Sequence, residues 1–362
     1  MDVSIIIIYI LVFFAILGAI DKILRNKFGL GKKFDEGLIA LGPLAIAMLG
    51  IIFLAPVIAT LLRPILVPIY GLVGADPSMF AATILANDMG GYSLATSLAL
   101  NTQAGLLAGL ILGSMMGATI VFTIPVALGI IRKEDHGFLA LGVLFGMITI
   151  PLGFFVGGLA AGFNIIMILI NLIPITIISL IIILGLWKVP ELMIKIFIWF
   201  GRVIIAISTI GIIAMVIQVL TGLIIIPGMT SFLEGLRIIG TIALLLTGAF
   251  PALYILTKLL KKPLAILGKK IRISSTAVAG LIATLANNIP MFGLFKEMDS
   301  RGKVMNVAFA VSASFLLGDH LAFTAAVNKG MILPVIIGKL VAGLTALLLA
   351  GVLYSKFSKK KK

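Results

Sequence analysis

The chain has 362 residues, of which 61% are hydrophobic and 11% are charged, and its mean hydropathy is +1.28. Soluble domains carry about 25% charged residues, so this composition excludes an ordinary soluble enzyme or binding module. A net charge of +15 would suggest a nucleic-acid partner in a soluble protein. Here the basic residues lie in short loops between apolar blocks, a pattern that orients membrane proteins. We therefore expect a lipid bilayer as partner and no nucleic acid.

The first apolar segment is MDVSIIIIYILVFFAILGAI (1–20). It lacks the basic n-region and the small-residue cleavage site of a signal peptide, so we expect a retained helix. The basic segment 21–33 that follows is expected in the cytoplasm, which places the N-terminus outside. Later apolar blocks, such as 38–62 and 165–187, exceed the ~20 residues that a helix needs to cross a bilayer. The sequence therefore predicts an all-α polytopic membrane protein.

Three strings in the first half of the chain recur in the same order in the second half. Their offsets are nearly constant, at 198, 200 and 201 residues. Single matches arise by chance in a low-complexity apolar chain, but three in order at a nearly constant offset indicate an internal duplication. The pairs are EGLIALGPLAIAMLG (36–50) with EGLRIIGTIALLLTG (234–248), LAND (85–88) with LANN (285–288), and MGATIVF (116–122) with LGDHLAF (317–323).

The charged loops indicate whether the two halves run in the same direction. If LANDMGGY (85–92) does not cross the membrane, the basic loop KLLKKPLAILGKKIR (258–272) falls in the cytoplasm, as the positive-inside rule requires. If LANDMGGY were a full crossing, this loop would lie outside. The rule therefore favours re-entrant or broken segments and two halves of opposite direction. The predicted fold has two inverted-topology repeats, about nine full crossings and two re-entrant segments, an arrangement found in transporters.

The tail SKFSKKKK (355–362) is expected in the cytoplasm against anionic headgroups, at about 1 kcal/mol per lysine. The absence of cysteine excludes disulfides and thiolate chemistry, and two histidines make no convincing metal site. We expect no cofactor and no metal. The predicted parts are 1–33, an N-terminal transmembrane helix and basic cytoplasmic loop; 34–160, repeat 1; 161–231, connecting transmembrane helices; 232–354, inverted repeat 2; and 355–362, the basic cytoplasmic tail.

LAND (85–88) and LANN (285–288), which we call the LAN strings, are both followed by residues that break helices. Gly90 and Gly91 loosen the helix beside Asp88, and Pro290 removes a backbone donor two residues after Asn288. Irregular backbone inside a bilayer survives only where it is buried in protein or lines a watery cavity. We therefore predict that both breaks, each just after its pair of polar residues, face one space near the middle of the membrane.

Each half of the chain also carries one acid in an apolar segment. Asp88 lies in LANDMGGY, and Asp319 is predicted in a helix from about Val304 to Val327, followed by His320. A charge at a helix centre costs at least ~2.5 kcal/mol on insertion scales, so such an acid indicates a functional site. No intramembrane lysine or arginine is near them in the sequence, which favours a cationic substrate or coupling ion. The predicted substrate-binding residues are Asp88, Asn87, Asn287, Asn288, Asp319, His320 and Tyr92.

These residue types suit a small amine with a hydroxyl group. An ammonium group has three N–H donors, which the carboxylates would accept, while the three asparagines could bond a hydroxyl and the tyrosine ring could face a cation. Structural roles stay open beside these. The acids could cap helices or join buried networks, His320 could relay protons, the asparagines could bond neighbouring helices, and Tyr92 could simply pack.

Four strings are long enough to compare with known families: LANDMGGYSLA, GSMMGATIVFTIPVALGII (113–131), ATLANNIPMFGLFKEMDSRGKVMNVAFAVSASFLLGDHLAF (283–323) and PVIIGKL (334–340). Together they resemble the EutH family of bacterial ethanolamine-utilisation membrane proteins, over nearly the whole chain. The resemblance implies a transporter, not an enzyme, that brings ethanolamine through the bacterial inner membrane. It implies no particular binding residue.

The resulting hypothesis is uptake of protonated ethanolamine by alternating access, as facilitated uniport or coupled to a cation. The C-terminus would be cytoplasmic, and a homo-oligomer, most simply a dimer, is one expectation. A first alternative is a cation-translocating membrane subunit of a larger complex, which would need a stable soluble partner. A second is an intramembrane aspartyl protease, because LGD (317–319) resembles its GxGD motif. Leu316 replaces the first glycine of that motif, and a repeat would have no explanation there.

Overall fold

The computed structural model describes residues 3–359. The predicted tail 355–362 is outside the described residues at 360–362, and the side chains of 355–359 are outside them as well, as are those of 261, 264, 265 and 267. Within the described range every regular element is helical and no strand occurs. The predicted all-α class is confirmed.

The N-terminal part of the chain contains two long apolar helices and five short ones. Apolar runs of this length have no soluble face, so they are stable only inside a bilayer or a protein core. The helices are α1 (Val3–Ile23), α2 (Leu30–Ile39), α3 (Leu41–Gly71), α4 (Ser78–Ile84), α5 (Tyr92–Leu98), α6 (Thr102–Leu106) and α7 (Ile124–Ile130).

Helices α6 and α7 are the two ends of one helix, Thr102–Ile130, which we call the central helix. Its middle is π-helical at Leu107–Gly117 and again at Thr119–Thr123. Almost all of it is buried, whereas α1 and α10 (Pro190–Thr221) leave most of their apolar surface exposed. The central helix therefore forms the protein core, and the outer helices present apolar side chains to lipid.

The remainder of the chain begins with four long helices, continues with four shorter ones and ends with another long helix. The long connecting helices carry the apolar runs that the sequence predicted for residues 161–231. The helices in this remainder of the chain are α8 (His136–Ala160), α9 (Ile165–Lys188), α10, α11 (Phe232–Ile271), α12 (Ser275–Ala286), α13 (Asn288–Gly293), α14 (Ser300–Ala313), α15 (Asp319–Val327) and α16 (Ile332–Lys359).

Eight of the described helical stretches are long and apolar enough to cross a membrane. They correspond to eight of the predicted crossings. The ninth crossing is predicted as a single helix from about Val304 to Val327. That continuous helix is wrong, because α14 ends at Ala313 and α15 begins at Asp319. The apolar string between them gives no sign of this interruption.

Asp76 closes the base of a first helical hairpin, formed by α4 and α5 (78–98). Its carboxylate accepts hydrogen bonds from Ser78 N, at the start of the hairpin, and from Leu100 N and Asn101 N, just after its end, each at 2.9 Å. The chain therefore enters and leaves the hairpin beside the same side chain, Asp76. Each arm has seven residues, or about 10 Å of helix, which is too short to span a bilayer.

Asp299 closes the base of a second hairpin, which contains α12 and α13 (275–293). Its carboxylate accepts hydrogen bonds from Ser274 N at 2.7 Å and Gly302 N at 3.0 Å. The start of α12 and the start of α14 thus meet at one side chain. The bond to Gly302 N is a local helix cap, whereas Ser274 N lies 25 positions earlier and is brought to Asp299 only by the tertiary structure.

The two hairpin bases lie towards opposite ends of α8. The backbone N–H of Asp76 donates to Asn171 Oδ1 at 2.7 Å, in the second turn of α9 after the tight α8–α9 connection. At the other end, Lys303 in α14 forms an ion pair of 2.6 Å with Asp135, which directly precedes α8. The hairpins therefore enter the core from opposite sides, and their broken tips meet in the middle.

Candidate functional site

A cavity of about 330 Å³ lies among the tips of the two hairpins, the central helix and α15. Most of its wall is apolar, from alanine, leucine, methionine, proline and phenylalanine side chains of several helices. An apolar pocket with a few converging polar groups is the usual form of a small-molecule site. The polar residues that line it are Asp88, Asn287, Asp319 and His320.

The first break (85–91) interrupts the first hairpin at its tip. Leu85 and Ala86 are extended, and Gly90 has a φ of +84°. A Cβ at Gly90 would lie 2.1 Å from Ile51 Cγ2, so both the backbone angle and the packing require glycine here. Gly91 already has right-handed helical angles as the chain enters α5. This geometry presents Asp88 to the cavity between the two arms.

The second break interrupts the second hairpin at Asn287, which is extended with φ −160° and ψ 144°. Helix α13 begins at Asn288, so the break precedes this residue, whereas the sequence placed it just after. Pro290 lies in the first turn of α13, where its missing N–H leaves no helical bond unmade. The Asn287 side chain caps α13 by accepting from Ile289 N at 2.8 Å.

A third break (314–318) separates α14 from α15 and brings Asp319 to the cavity. Phe315 has a φ of +60°, and its N–H donates to Thr284 O at 3.0 Å. The N–H of Leu317 donates to Leu285 O at 2.9 Å. Two backbone donors of the break are thus satisfied by carbonyls at the end of α12, as a buried backbone requires. This tertiary pairing is why the predicted continuous helix does not form.

Asp319 is the first residue of α15 and borders the cavity. No ion pair joins it to a basic side chain within the described part of the protein. The N-terminal end of a helix favours a negative charge, so the start of α15 offsets part of the cost of a carboxylate at this position. Asp319 is therefore available to a ligand.

Asp88, in contrast, belongs to a row of charged and polar side chains. Its Oδ1 lies 3.7 Å from His320 Nε2, and His320 Nδ1 lies 3.0 Å from the Nζ of Lys339. Lys339 Nζ also donates to Ser114 O, at 2.5 Å. Lys339 and His320 are almost entirely buried. Lys339, in α16, is the buried charged residue beside the cavity that the sequence analysis missed. A lysine inside an apolar helix was the available signal.

Three of the predicted binding residues do not line the cavity. Asn87 is fully buried beside the central helix, where Gly113 packs against its backbone. Asn288 donates to Thr123 Oγ1 at 2.9 Å, which is the interhelical bond left open as an alternative role. Tyr92 packs edge-on against Phe323, with ring centroids 5.7 Å apart. Of the predicted binding residues, the structure thus brings four to the cavity wall. The other three pack outside the wall. The four that line the cavity are Asp88, Asn287, Asp319 and His320.

Aligned glycines in the two halves each pack against a carbonyl group of the neighbouring LAN string, at positions that differ by one residue in the alignment. A Cβ at Gly117 in the central helix would lie 1.9 Å from Leu85 O in the first hairpin. A Cβ at Gly318 would lie 2.4 Å from Ala286 O in the second hairpin. Gly117 and Gly318 are aligned in the weakest of the three sequence matches. Each LAN string is therefore packed closely against one of these aligned glycines, although the carbonyl groups that they contact are one alignment position apart.

Comparisons with known proteins extend over the whole chain. The family profile described as "Ethanolamine utilisation protein, EutH" matches residues 3–353. The "Probable ethanolamine permease EutH" of Listeria monocytogenes is 59% identical, covering 100% of this chain and 97% of that protein. The protein of the same name in Salmonella typhimurium is 46% identical, covering 98% and 97%. The "Uncharacterized protein YxeR" of Bacillus subtilis is 49% identical, covering 96% and 94%.

No solved structure matches the chain. The eight apolar helices and the family match agree that this is a multi-pass membrane protein. The match is continuous from the first described helix almost to the end of α16. The chain belongs to the EutH family of ethanolamine utilisation proteins.

Proposed function

We propose that this protein is a transporter that takes up protonated ethanolamine across a bacterial cytoplasmic membrane. The observation that carries the proposal is the buried cavity in which Asp88 and Asp319 meet between two broken hairpins. A carboxylate in an apolar core is costly unless a cation or a hydrogen-bond network compensates it. The names of the Listeria and Salmonella relatives, both ethanolamine permeases, point to the same substrate.

The chemistry of the cavity suits both ends of ethanolamine. The ammonium end would bind at the carboxylates, which only accept hydrogen bonds when ionised. The hydroxyl end would bind at Asn287, because the Oδ1 of this residue is already used by Ile289 N and its Nδ2 is left to donate. A cavity of about 330 Å³ holds this four-atom skeleton together with a few waters.

Alternating access is supported by the arrangement of the two hairpins. Their bases lie towards opposite ends of α8, and their tips hold the cavity between them. The matched contacts of Gly117 and Gly318 support the inverted duplication that the sequence predicts. In this proposal one hairpin and its neighbours move against the other, with the N-terminus outside and the C-terminus in the cytoplasm. The site then faces each side of the membrane in turn.

The driving force can be the membrane potential alone. A monovalent cation moving inward gains about 2.3 kcal/mol per 100 mV of inside-negative potential. Facilitated uniport therefore already concentrates the charged amine, and a coupling ion is not required. Uptake of an organic cation without a partner distinguishes this transporter from a cation-translocating subunit, which would move an inorganic ion and depend on a soluble partner.

The proposal is tested by uptake of radiolabelled ethanolamine into proteoliposomes that contain only this protein. We expect saturable uptake that an imposed inside-negative potential accelerates. Asp319→Asn is expected to lower uptake by roughly ten- to hundredfold, since a hydrogen bond to a charged group is worth about 1.5–3 kcal/mol. Glu191→Gln, which removes an exposed carboxylate in the first turn of α10, is the matched control.

Absence of uptake by correctly folded protein, with proton and sodium gradients also supplied, would refute the proposed function. Uptake that appears only after a soluble partner is added would favour the subunit alternative. Equal uptake by Asp319→Asn and the wild type would leave the transporter in place but remove Asp319 from the site.

A further inference from the structure

Lys339 is a buried cation in the middle of an apolar helix. It lies in α16, which is long and apolar enough to cross a membrane, and its side chain is 0% exposed. An ammonium group in such surroundings costs several kcal/mol unless an anion and hydrogen-bond acceptors compensate it. Its acceptors are Ser114 O, in the π-helical part of the central helix, and His320 Nδ1. These two are neutral, so the anion must lie further along the row.

His320 connects Lys339 to that anion. Because an ammonium group can only donate hydrogen bonds, Nδ1 of His320 is the acceptor for Lys339. A neutral imidazole then carries its proton on Nε2, the nitrogen that lies 3.7 Å from Asp88 Oδ1. The row therefore has a positive end at Lys339, a polarised neutral ring in the middle and a negative end at Asp88.

The charges around the cavity do not cancel. Among the described residues, Asp88 and Asp319 are the only acids in its lining, and no lysine or arginine lines it. With Lys339 directly behind His320, two negative charges face one positive charge. The site therefore has a net charge of minus one when the two acids and the lysine are ionised. One monovalent cation completes it.

We propose that Lys339 is a built-in counter-ion of Asp88, acting through His320, so that Asp319 alone supplies the uncompensated charge that binds the substrate's ammonium group. This rests on the proposed function and assigns different roles to the two acids. Lys339 and His320 are positioning residues in this arrangement, since they act on the substrate through Asp88. The cavity takes up one monovalent cation at a time, and each transported ethanolamine moves one net charge.

The charge balance predicts opposite effects of removing the two ends of the row. Asp88→Asn leaves Lys339 to cancel Asp319, so the site loses its attraction for a cation. Lys339→Met leaves two uncompensated acids, so the site attracts cations more strongly and has room for a second one. A purely structural role for these residues would make both substitutions harmful in the same direction.

The experiment measures Kd for radiolabelled ethanolamine on purified protein and the net charge moved per ethanolamine in proteoliposomes. Relative to the wild type, we expect Asp88→Asn to raise Kd by about tenfold or more. Lys339→Met is expected either to lower Kd or to raise the charge moved per ethanolamine above one. The double variant Asp88→Asn, Lys339→Met is expected to bind about tenfold more tightly than Asp88→Asn alone. Asp319→Asn is expected to weaken binding by roughly ten- to hundredfold while Lys339 is present, because Lys339 then compensates Asp88 and no uncompensated acid remains.

Thermal unfolding of the same variants tests the charge pair without any substrate. Each single variant should unfold at a lower temperature than the wild type, and the double variant should unfold above the less stable single variant. The inference would be overturned if the double variant lost the sum of the two single decreases in unfolding temperature. It would also be overturned if both single variants raised Kd equally. Wild-type affinity for ethanolamine in Asp319→Asn would overturn it as well. If the wild type binds no ethanolamine, the proposed function and the role of Asp319 both fail, while the unfolding data still decide whether Lys339 and Asp88 are paired.

Discussion

Gly318 lies directly against the carbonyl group of Ala286, so closely that a Cβ on Gly318 would come within 2.4 Å of the carbonyl oxygen. At this contact the third break packs against the end of α12, and two backbone hydrogen bonds also connect the break to α12. Because Asp319 is the next residue, its position in the cavity depends on this packing. The same relation between Gly117 and Leu85 fixes the first hairpin near Asp88.

The first prediction concerns this close approach. Gly318→Ala is expected to lower the free energy of unfolding by about 1–3 kcal/mol, the usual effect of forcing extra volume into a packed core, and to reduce ethanolamine uptake. The matched control is Gly240→Ala in α11, where a Cβ would meet no atom within 4 Å. Denaturant unfolding and uptake are measured on both. Equal stability of the two variants would show that the α12 carbonyl can move aside.

The second prediction concerns the left-handed backbone of the first break. Gly90 and Gly162 both have positive φ, at +84° and +71°, but only Gly90 packs against a neighbour, Ile51. An alanine at Gly162 is therefore expected to cost about 1–2 kcal/mol of backbone strain. Gly90→Ala adds a clash beside Asp88, so it should be less stable than Gly162→Ala and lose uptake. Equal uptake by the two variants would contradict a role for the Gly90 contact in shaping the site.

The third prediction concerns recognition of the hydroxyl group. Asn287→Ser keeps a side-chain oxygen to cap α13 but removes the amide donor, so ethanolamine should bind roughly three- to tenfold more weakly. Binding of ethylamine, which lacks the hydroxyl, should hardly change. Asn164→Ser makes the same exchange at the cap of α9, outside the cavity, and should alter neither. Competition binding with both amines measures the effect, and parallel weakening of both would exclude Asn287 as the hydroxyl partner.

The fourth prediction concerns the base of the first hairpin. Asp76→Ala removes the acceptor of Ser78 N, Leu100 N and Asn101 N. A buried donor left without a partner costs about 1–3 kcal/mol. The hairpin base should therefore open, and hydrogen–deuterium exchange at residues 99–101 should accelerate. Glu191→Ala, at an exposed carboxylate, should leave this exchange unchanged, and unchanged exchange in Asp76→Ala would mean that the hairpin base is held by its packing alone.

The fifth prediction concerns the ion pair between Lys303 and Asp135. Both side chains are largely buried, at 11% and 8% exposure, so Lys303→Met should cost about 3–5 kcal/mol by leaving an unpaired buried acid. Adding Asp135→Asn to this variant should restore part of the lost stability. A double-mutant cycle in denaturant measures the coupling. Additive losses would show that water already compensates the two charges.

Apolar runs and the positions of charge predicted most of the architecture. A segment of about 20 apolar residues has few stable alternatives to a helix in a bilayer. Eight helices long and apolar enough to cross a membrane could therefore be predicted from composition alone. The LAN strings marked both broken tips for a similar reason, since polar residues and glycines in such a segment need special surroundings.

The third break and Lys339 could not be placed by local patterns. SFLLGDH reads as a continuous helix, because the groups that satisfy its interrupted backbone, Thr284 O and Leu285 O, lie about thirty residues earlier in the chain. Lys339 is 19 positions from His320 and 225 from Ser114. Its partners meet it only after the helices have packed.

By itself, the sequence determined that the chain is helical, that it lies in a membrane and which two acids interrupt its apolar segments, and it predicts an internal repeat. These properties follow from local composition, because the bilayer leaves each apolar segment one stable form. The tertiary structure alone decided which polar residues share the cavity and which charge is paired. That is settled by packing between segments far apart in sequence, where a buried charge must find its partner in space. Hence Asp88 lies in one row with His320 and Lys339, whereas Asp319 has no ion pair to a basic side chain among the described residues.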